Sequence, residues 1–144
     1  MMRNFWAFLA AVATSTILGT LFHTQMVFAR LADAGAALPL SVRLQGTVND
    51  LLGLGPLYGA VIALGLAAGF SVAARLKRVL KPLAPIAYPL AGAAVIGLAL
   101  YLMSVVYYSA TPIAGARGVV GFSLQCLAGA IGGLVFAALL PRKA

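Results

Sequence analysis

Long uncharged apolar runs alternate with short charged segments along this chain. Four runs, 5–29, 51–74, 82–116 and 118–141, contain no Asp, Glu, Lys or Arg. Each exceeds the roughly 20 residues that cross a bilayer core ~30 Å thick. They predict transmembrane helices over about 5–28, 56–74, 85–108 and 118–140. Small and polar positions recur inside the runs at helical spacing. In the first, Ala7, Ala11, Ser15, Gly19 and His23 lie four apart, and Thr16, Thr20 and Thr24 form the adjoining stripe. At 3.6 residues per turn these share one face, which is expected to look into the bundle. Gly65 and Gly69 in the second span, and Gly121, Gln125, Gly129 and Gly133 in the fourth, form similar small faces. Close helix packing is the expected role of Gly19, Gly65, Gly69, Gly129 and Gly133. Gln125 is expected to join helices as an intramembrane amide. Val95 in the third span is expected to face lipid.

The segment between the first two spans reads differently. Ser41 is placed to cap a helix over about 41–52. Arg43, Thr47 and Asp50 share one face of it, and Leu44, Val48 and Leu51 another. This predicts a short amphipathic helix lying in the outer, periplasmic interface. Gly53 and Gly55 end it, and Pro56 suits the first turn of the second span. Pro89, early in the third span, predicts a kink. Tyr88 near one end of that span, and Tyr107 with Tyr108 at the other, fit interfacial aromatic belts. The expected fold class is an all-α membrane protein. It is a single domain over 1–144, an up-down bundle of four transmembrane helices plus the interfacial helix.

Composition reinforces this picture. Apolar residues make up 63% of the 144 and charged residues 8%, against ~45–50% and ~25% in soluble domains. The positive charges set an orientation. Arg3, Arg75, Lys77, Arg78, Lys81, Arg142 and Lys143 fall on one side, and Arg30, Arg43 and Arg117 on the other. Lys/Arg-rich loops stay in the cytoplasm, so both termini are expected there. High Arg, Ala and Gly contents suggest a bacterial source, hence a bacterial inner membrane. Residues 1–4 and 27–29 also resemble the ends of a signal peptide, but the apolar run exceeds the usual h-region, so a retained anchor is expected. The net charge of +8 lies at helix ends and shows no nucleic-acid signature.

Candidate chemistry is sparse. His23 is the only histidine. It could contact haem, a quinone or a proton path, or simply bond to a neighbour. One His without clustered Cys, Asp or Glu does not make a metal site. Asp50 suits the start of a helix, whereas Arg117 opposes the dipole of the helix it begins. Arg117 is therefore expected to find an anion, with Asp50 preferred over Asp33. Together His23, Arg43, Asp50 and Arg117 form a candidate outer-side polar cluster. A structural salt bridge and an anion or lipid-headgroup site are both open readings of it. Cys126 reads as a small buried hydrophobe. No span carries the mid-depth acid that proton-coupled transporters need, and no Ser/His/Asp set or phosphate loop is present. An enzyme is not expected.

The stretch Thr111, Pro112, Ile113, Ala114, Gly115, Ala116 and Arg117, followed by a span with Gln125, Gly129, Gly132 and Gly133, resembles a set of small proteobacterial inner-membrane proteins of four spans. So does Asp50, Leu51, Leu52, Gly53 and Leu54 leading into the second span. The resemblance implies no catalytic residues. The expected function is a non-enzymatic accessory subunit or small oligomer acting through helix contacts, with the bilayer and a membrane protein or further copies as partners. A small transporter or channel between protomers is the alternative, and binding of haem, quinone or lipid near the outer interface a further one.

Overall fold

The computed structural model describes residues 2–106 and 114–140. It contains five helices: α1 (Met2–Asp33), α2 (Leu40–Gly53), α3 (Gly55–Val79), α4 (Ala87–Val106) and α5 (Gly118–Leu139). Short 3-10 turns at Lys81–Leu83 and Ala114–Ala116 precede α4 and α5. Four helices, α1, α3, α4 and α5, are long and apolar enough to cross a membrane. The fold is thus an all-α membrane bundle. Tyr107 and Tyr108, the expected end of the third span at 108, and Arg142 and Lys143 lie outside the described residues.

Paired positions give the topology. Along α1 and α5 the contacts run Ser15 with Gly132, Gly19 with Gln125, and His23 with Gly115 just before α5. Along α4 and α5 they run Tyr88 with Gly133, Gly92 with Gly129, and Gly97 with Cys126. Along α3 and α4, Gly65 and Gly69 meet Val95, and Phe70 meets Tyr88. One number falls as the other rises in each pair, so neighbours are antiparallel in the cyclic order α1, α3, α4, α5.

α2 departs from its expected place. Phe28 packs on Gly46, Thr24 on Asp50, Gly19 on Tyr58, Thr16 on Gly59 and Phe8 on Phe70. The falling series along α1 therefore passes from α2 into α3 without a change of direction. α2 runs alongside the end of α1 rather than flat across the bundle. Only Leu54 separates α2 from α3, and it keeps helical dihedrals. Its amide bonds Asp50 O at 2.8 Å, and the Tyr58 amide bonds Leu54 O at 2.9 Å. The Gly53, Gly55 and Pro56 signals mark a joint in one long rod, not a break. α1 has the length to match: its 32 residues span about 48 Å at 1.5 Å each, well beyond a ~30 Å core.

Local signals explain the other ends. Gly35 has φ +88°, its amide bonds Ala32 O, and the Ala36 amide bonds Leu31 O. This is a Schellman closure, which needs a residue without a Cβ penalty. Pro39, not Ser41, occupies the N-cap of α2. α4 begins at Ala87, so Pro89 falls in its first turn, where a missing N–H has no intrahelical acceptor to lose. It marks a start rather than the expected kink.

The core changes character along its length. At the end bearing the N-terminus of α1, Phe70 stacks on Phe136 at 4.5 Å, with Phe8 and Tyr88 edge-on to Phe70. Ile62, Leu66, Ile96 and Leu100 fill the middle. Toward the other end the buried side chains become polar: Ser15, Thr20, Thr24 and Gln125.

Candidate functional site

The polar end of the bundle is organised by α1. His23 and Arg30 are seven residues apart, two turns on one face. His23 Nδ1 accepts the Gly115 amide at 3.1 Å. Arg30 donates to the carbonyl of Ala114 at 3.1 Å and to the carbonyl of Arg117. The turn before α5 is thus held to α1 by one acceptor and one double donor. Gly115 is required there, because a Cβ would fall 2.5 Å from the backbone of His23. Gly118, with φ +83°, lets the chain turn from Arg117 into α5.

The His23 bond fixes the ring's chemistry. A neutral imidazole has one donor and one acceptor nitrogen. With Nδ1 accepting, Nε2 carries the hydrogen. A metal or haem iron at Nε2 would require the opposite tautomer and the release of Gly115, since ligating histidines donate from their other nitrogen.

A second contact joins α1 to α2. Thr24 Oγ1 lies 2.8 Å from Asp50 Oδ2 and 2.9 Å from Thr20 O. Its single hydrogen favours the carboxylate, the stronger acceptor. One turn along, Gln25 Nε2 donates to Thr47 Oγ1 at 3.4 Å. Thr47 Oγ1 in turn donates to the backbone carbonyl of Arg43 at 2.8 Å.

The third contact lies deeper. Tyr58 donates its hydroxyl to Gln125 Oε1 at 2.6 Å, and Gln125 Nε2 donates to Gly19 O at 2.9 Å. One amide thereby joins α3, α5 and α1. Gly19 lets both approach, since a Cβ there would fall 2.7 Å from the Tyr58 ring and 3.0 Å from Gln125 Oε1. Ser15, Thr16 and Thr20 keep buried hydroxyls with no partner among the described residues. Each stands four residues after a carbonyl that a χ1 rotation can reach.

Within the expected cluster, His23 on α1 is turned to Gly115, and Asp50 on α2 is turned to Thr24, the residue beside His23. Arg117 stands at the N-cap of α5 with an exposed side chain, its carbonyl taken by Arg30. Arg43 is half-buried on α2. The glycines lie at helix contacts. A Cβ on Gly129 would overlap the Gly92 carbonyl, and one on Gly133 the Tyr88 carbonyl. A Cβ on Gly65 or Gly69 would overlap the methyls of Val95, so Val95 seats its methyls in a notch of α3 while staying half-exposed.

Sequence reasoning passed over Arg30 and Tyr58. Arg30 was visible only through its two-turn spacing from His23. Tyr58, two residues after Pro56, reads in the sequence as an interfacial tyrosine at the start of the span, and only the helical passage from α2 into α3 carries it to Gln125. Among the described residues no group of three or more His, Cys, Asp or Glu could hold a metal ion. No family model matches the chain, and no curated protein or solved structure matches it either.

Proposed function

We propose that this integral membrane protein is a non-enzymatic component of a bacterial inner membrane, an accessory subunit or small oligomer that acts through helix contacts. The observation behind this reading is how polar groups are used. His23, Thr24, Arg30, Asp50, Tyr58 and Gln125 all bond across to another helix or its adjoining turn. The outside of α2 carries an apolar row beside the exposed polar side chains of Ser41, Gln45 and Asn49. Leu40, Leu44, Val48 and Leu52, spaced by four, are 71, 59, 54 and 71% exposed. This row continues the surface of α3 past the end of the membrane core, where a partner helix could follow it.

A photo-cross-linking residue at Leu44 or Val48, activated in native membranes, tests the reading. A discrete adduct with a second copy supports the oligomer, and one with a single other membrane protein supports the subunit. Adducts with lipid alone at both positions would overturn it.

A further inference from the structure

We propose that the outer groove between α3 and α4 is a binding site for an anionic phospholipid, with the head group at Lys77 and Lys81 and an acyl chain along the helices. Two adjoining cavities form this groove. One, of about 360 Å³, runs from Lys77 and Leu83 past Leu76, Leu90 and Ala94. The other, of about 430 Å³, continues to Tyr58. They share Gly69, Val72, Val95 and Leu98, so the trough is continuous. Its origin is the small-residue face of α3, where the Val95 side chain of α4 seats at Gly65 and Gly69.

Charge selects the occupant. The walls are apolar from end to end, and the one charged residue among them is Lys77, at the mouth. Its Nζ lies 4.6 Å from the centroid of the Tyr88 ring, which holds the ammonium beside the groove. Lys81 begins the turn that supplies Leu83 to the same mouth. An apolar trough with cations at one end complements an amphiphile with an anionic head. Depth agrees. From Lys77 to Gly69 is eight residues, about 12 Å of helix, close to half of a ~30 Å hydrocarbon core. A chain anchored at Lys77 thus ends near the shared residues Gly69 and Val95. A neutral lipid would fill the trough but gain nothing from the lysines.

The test uses the full chain, purified in non-ionic detergent, stripped of lipid and titrated with dioleoylphosphatidylglycerol or dioleoylphosphatidylcholine under native mass spectrometry. The first bound lipid should prefer the anionic head group by roughly 25-fold, since each of the two lysines near such a head contributes about fivefold. K77Q/K81Q should bring that preference close to unity. R75Q/R78Q removes the same charge from the same end of α3, but from positions facing away from the groove, and should keep the preference. Ala94→Leu, at an exposed wall position, should weaken the first binding event for both lipids. Circular dichroism and elution volume identify any variant that fails to fold, and Ala94→Val then takes the place of a failed Ala94→Leu. Equal affinity for the two lipids would overturn the proposal. So would equal losses in the two double variants, which would mean bulk charge alone. A dimer that persists without lipid and is dissolved by Ala94→Leu would also overturn it, because the groove would then hold a second copy.

Discussion

His23 presents an unprotonated ring nitrogen to the backbone of Gly115, so a side chain in α1 holds the entry to α5 through a peptide N–H. That choice of partner brings the two backbones so close that position 115 admits only glycine. It also makes the contact sensitive to the acceptor at position 23. His23→Ala should lower stability in detergent by about 1 kcal/mol, the usual net value of a hydrogen bond. His23→Asn, whose Oδ1 can occupy the place of Nδ1, should recover much of that. Thermal unfolding of the three proteins is the measurement. Equal midpoints for the parent protein and His23→Ala would show that the bond contributes nothing.

The amide of Gln125 is the second target. Tyr58→Phe leaves Oε1 without its donor, and Gln125→Leu leaves the Tyr58 hydroxyl unpaired and removes the second hydrogen bond to the Gly19 carbonyl. Each single change should cost more than its share of the pair. A double-mutant cycle with Tyr58→Phe and Gln125→Leu should give a coupling of about 0.6–1.7 kcal/mol, the range for interhelical hydrogen bonds in membranes. Strict additivity would contradict the bonded arrangement.

Backbone contact between α4 and α5 makes a sharper prediction. Gly129→Leu and Gly92→Leu each push a side chain into the opposite carbonyl, and overpacking costs typically about 1–3 kcal/mol. Folded yield should fall for both. Leu64→Met, at a position 76% exposed, should be silent. Val95→Ala should also destabilise, by roughly 1–2 kcal/mol, because its methyls fill the Gly65/Gly69 notch. If Val95→Ala and Leu64→Met behaved alike, the assigned α3–α4 contact would be wrong.

The distribution of Lys and Arg predicts an orientation. Fusions of a topology reporter after Lys81 and after Ala144 should read as cytoplasmic, and one after Asp33 as periplasmic. The reverse pattern would invert the whole bundle and move the His23 end to the cytoplasm.

The four long helices and the extra helix near 41–52 were legible because apolar length and helical spacing leave strong marks in a sequence. Partners were not. The Gly115 amide has no side-chain signature, so nothing in the sequence pointed His23 toward it. The Thr24 hydroxyl reaches Asp50 because α2 lies against α1, a contact that neither residue type foretells. That placement was misread because Gly53, Gly55 and Pro56 look like a full stop between helices. The hydrogen-bond ladder carries on through Leu54, so the direction of α2 is inherited from α3. The contact of Val95 was hidden for a similar reason: a valine in an alanine-rich span shows no helix partner until the glycines opposite it are known.

The reciprocal seating of Gly92 and Gly129 has a consequence for rotation. Each glycine's α-carbon lies under the other's carbonyl, and the residues flanking Gly129 are Ala128 and Ala130. Turning α5 about its axis by one residue, about 100°, would drive an alanine methyl into the Gly92 oxygen. Lipid offers helices no hydrophobic reward for one azimuth over another, so the angle has to be chosen by exclusion. These two glycines act as a key in a keyway. Because Gln125 lies one turn from Gly129 on the same side of α5, the same key aims its amide at Tyr58 and Gly19.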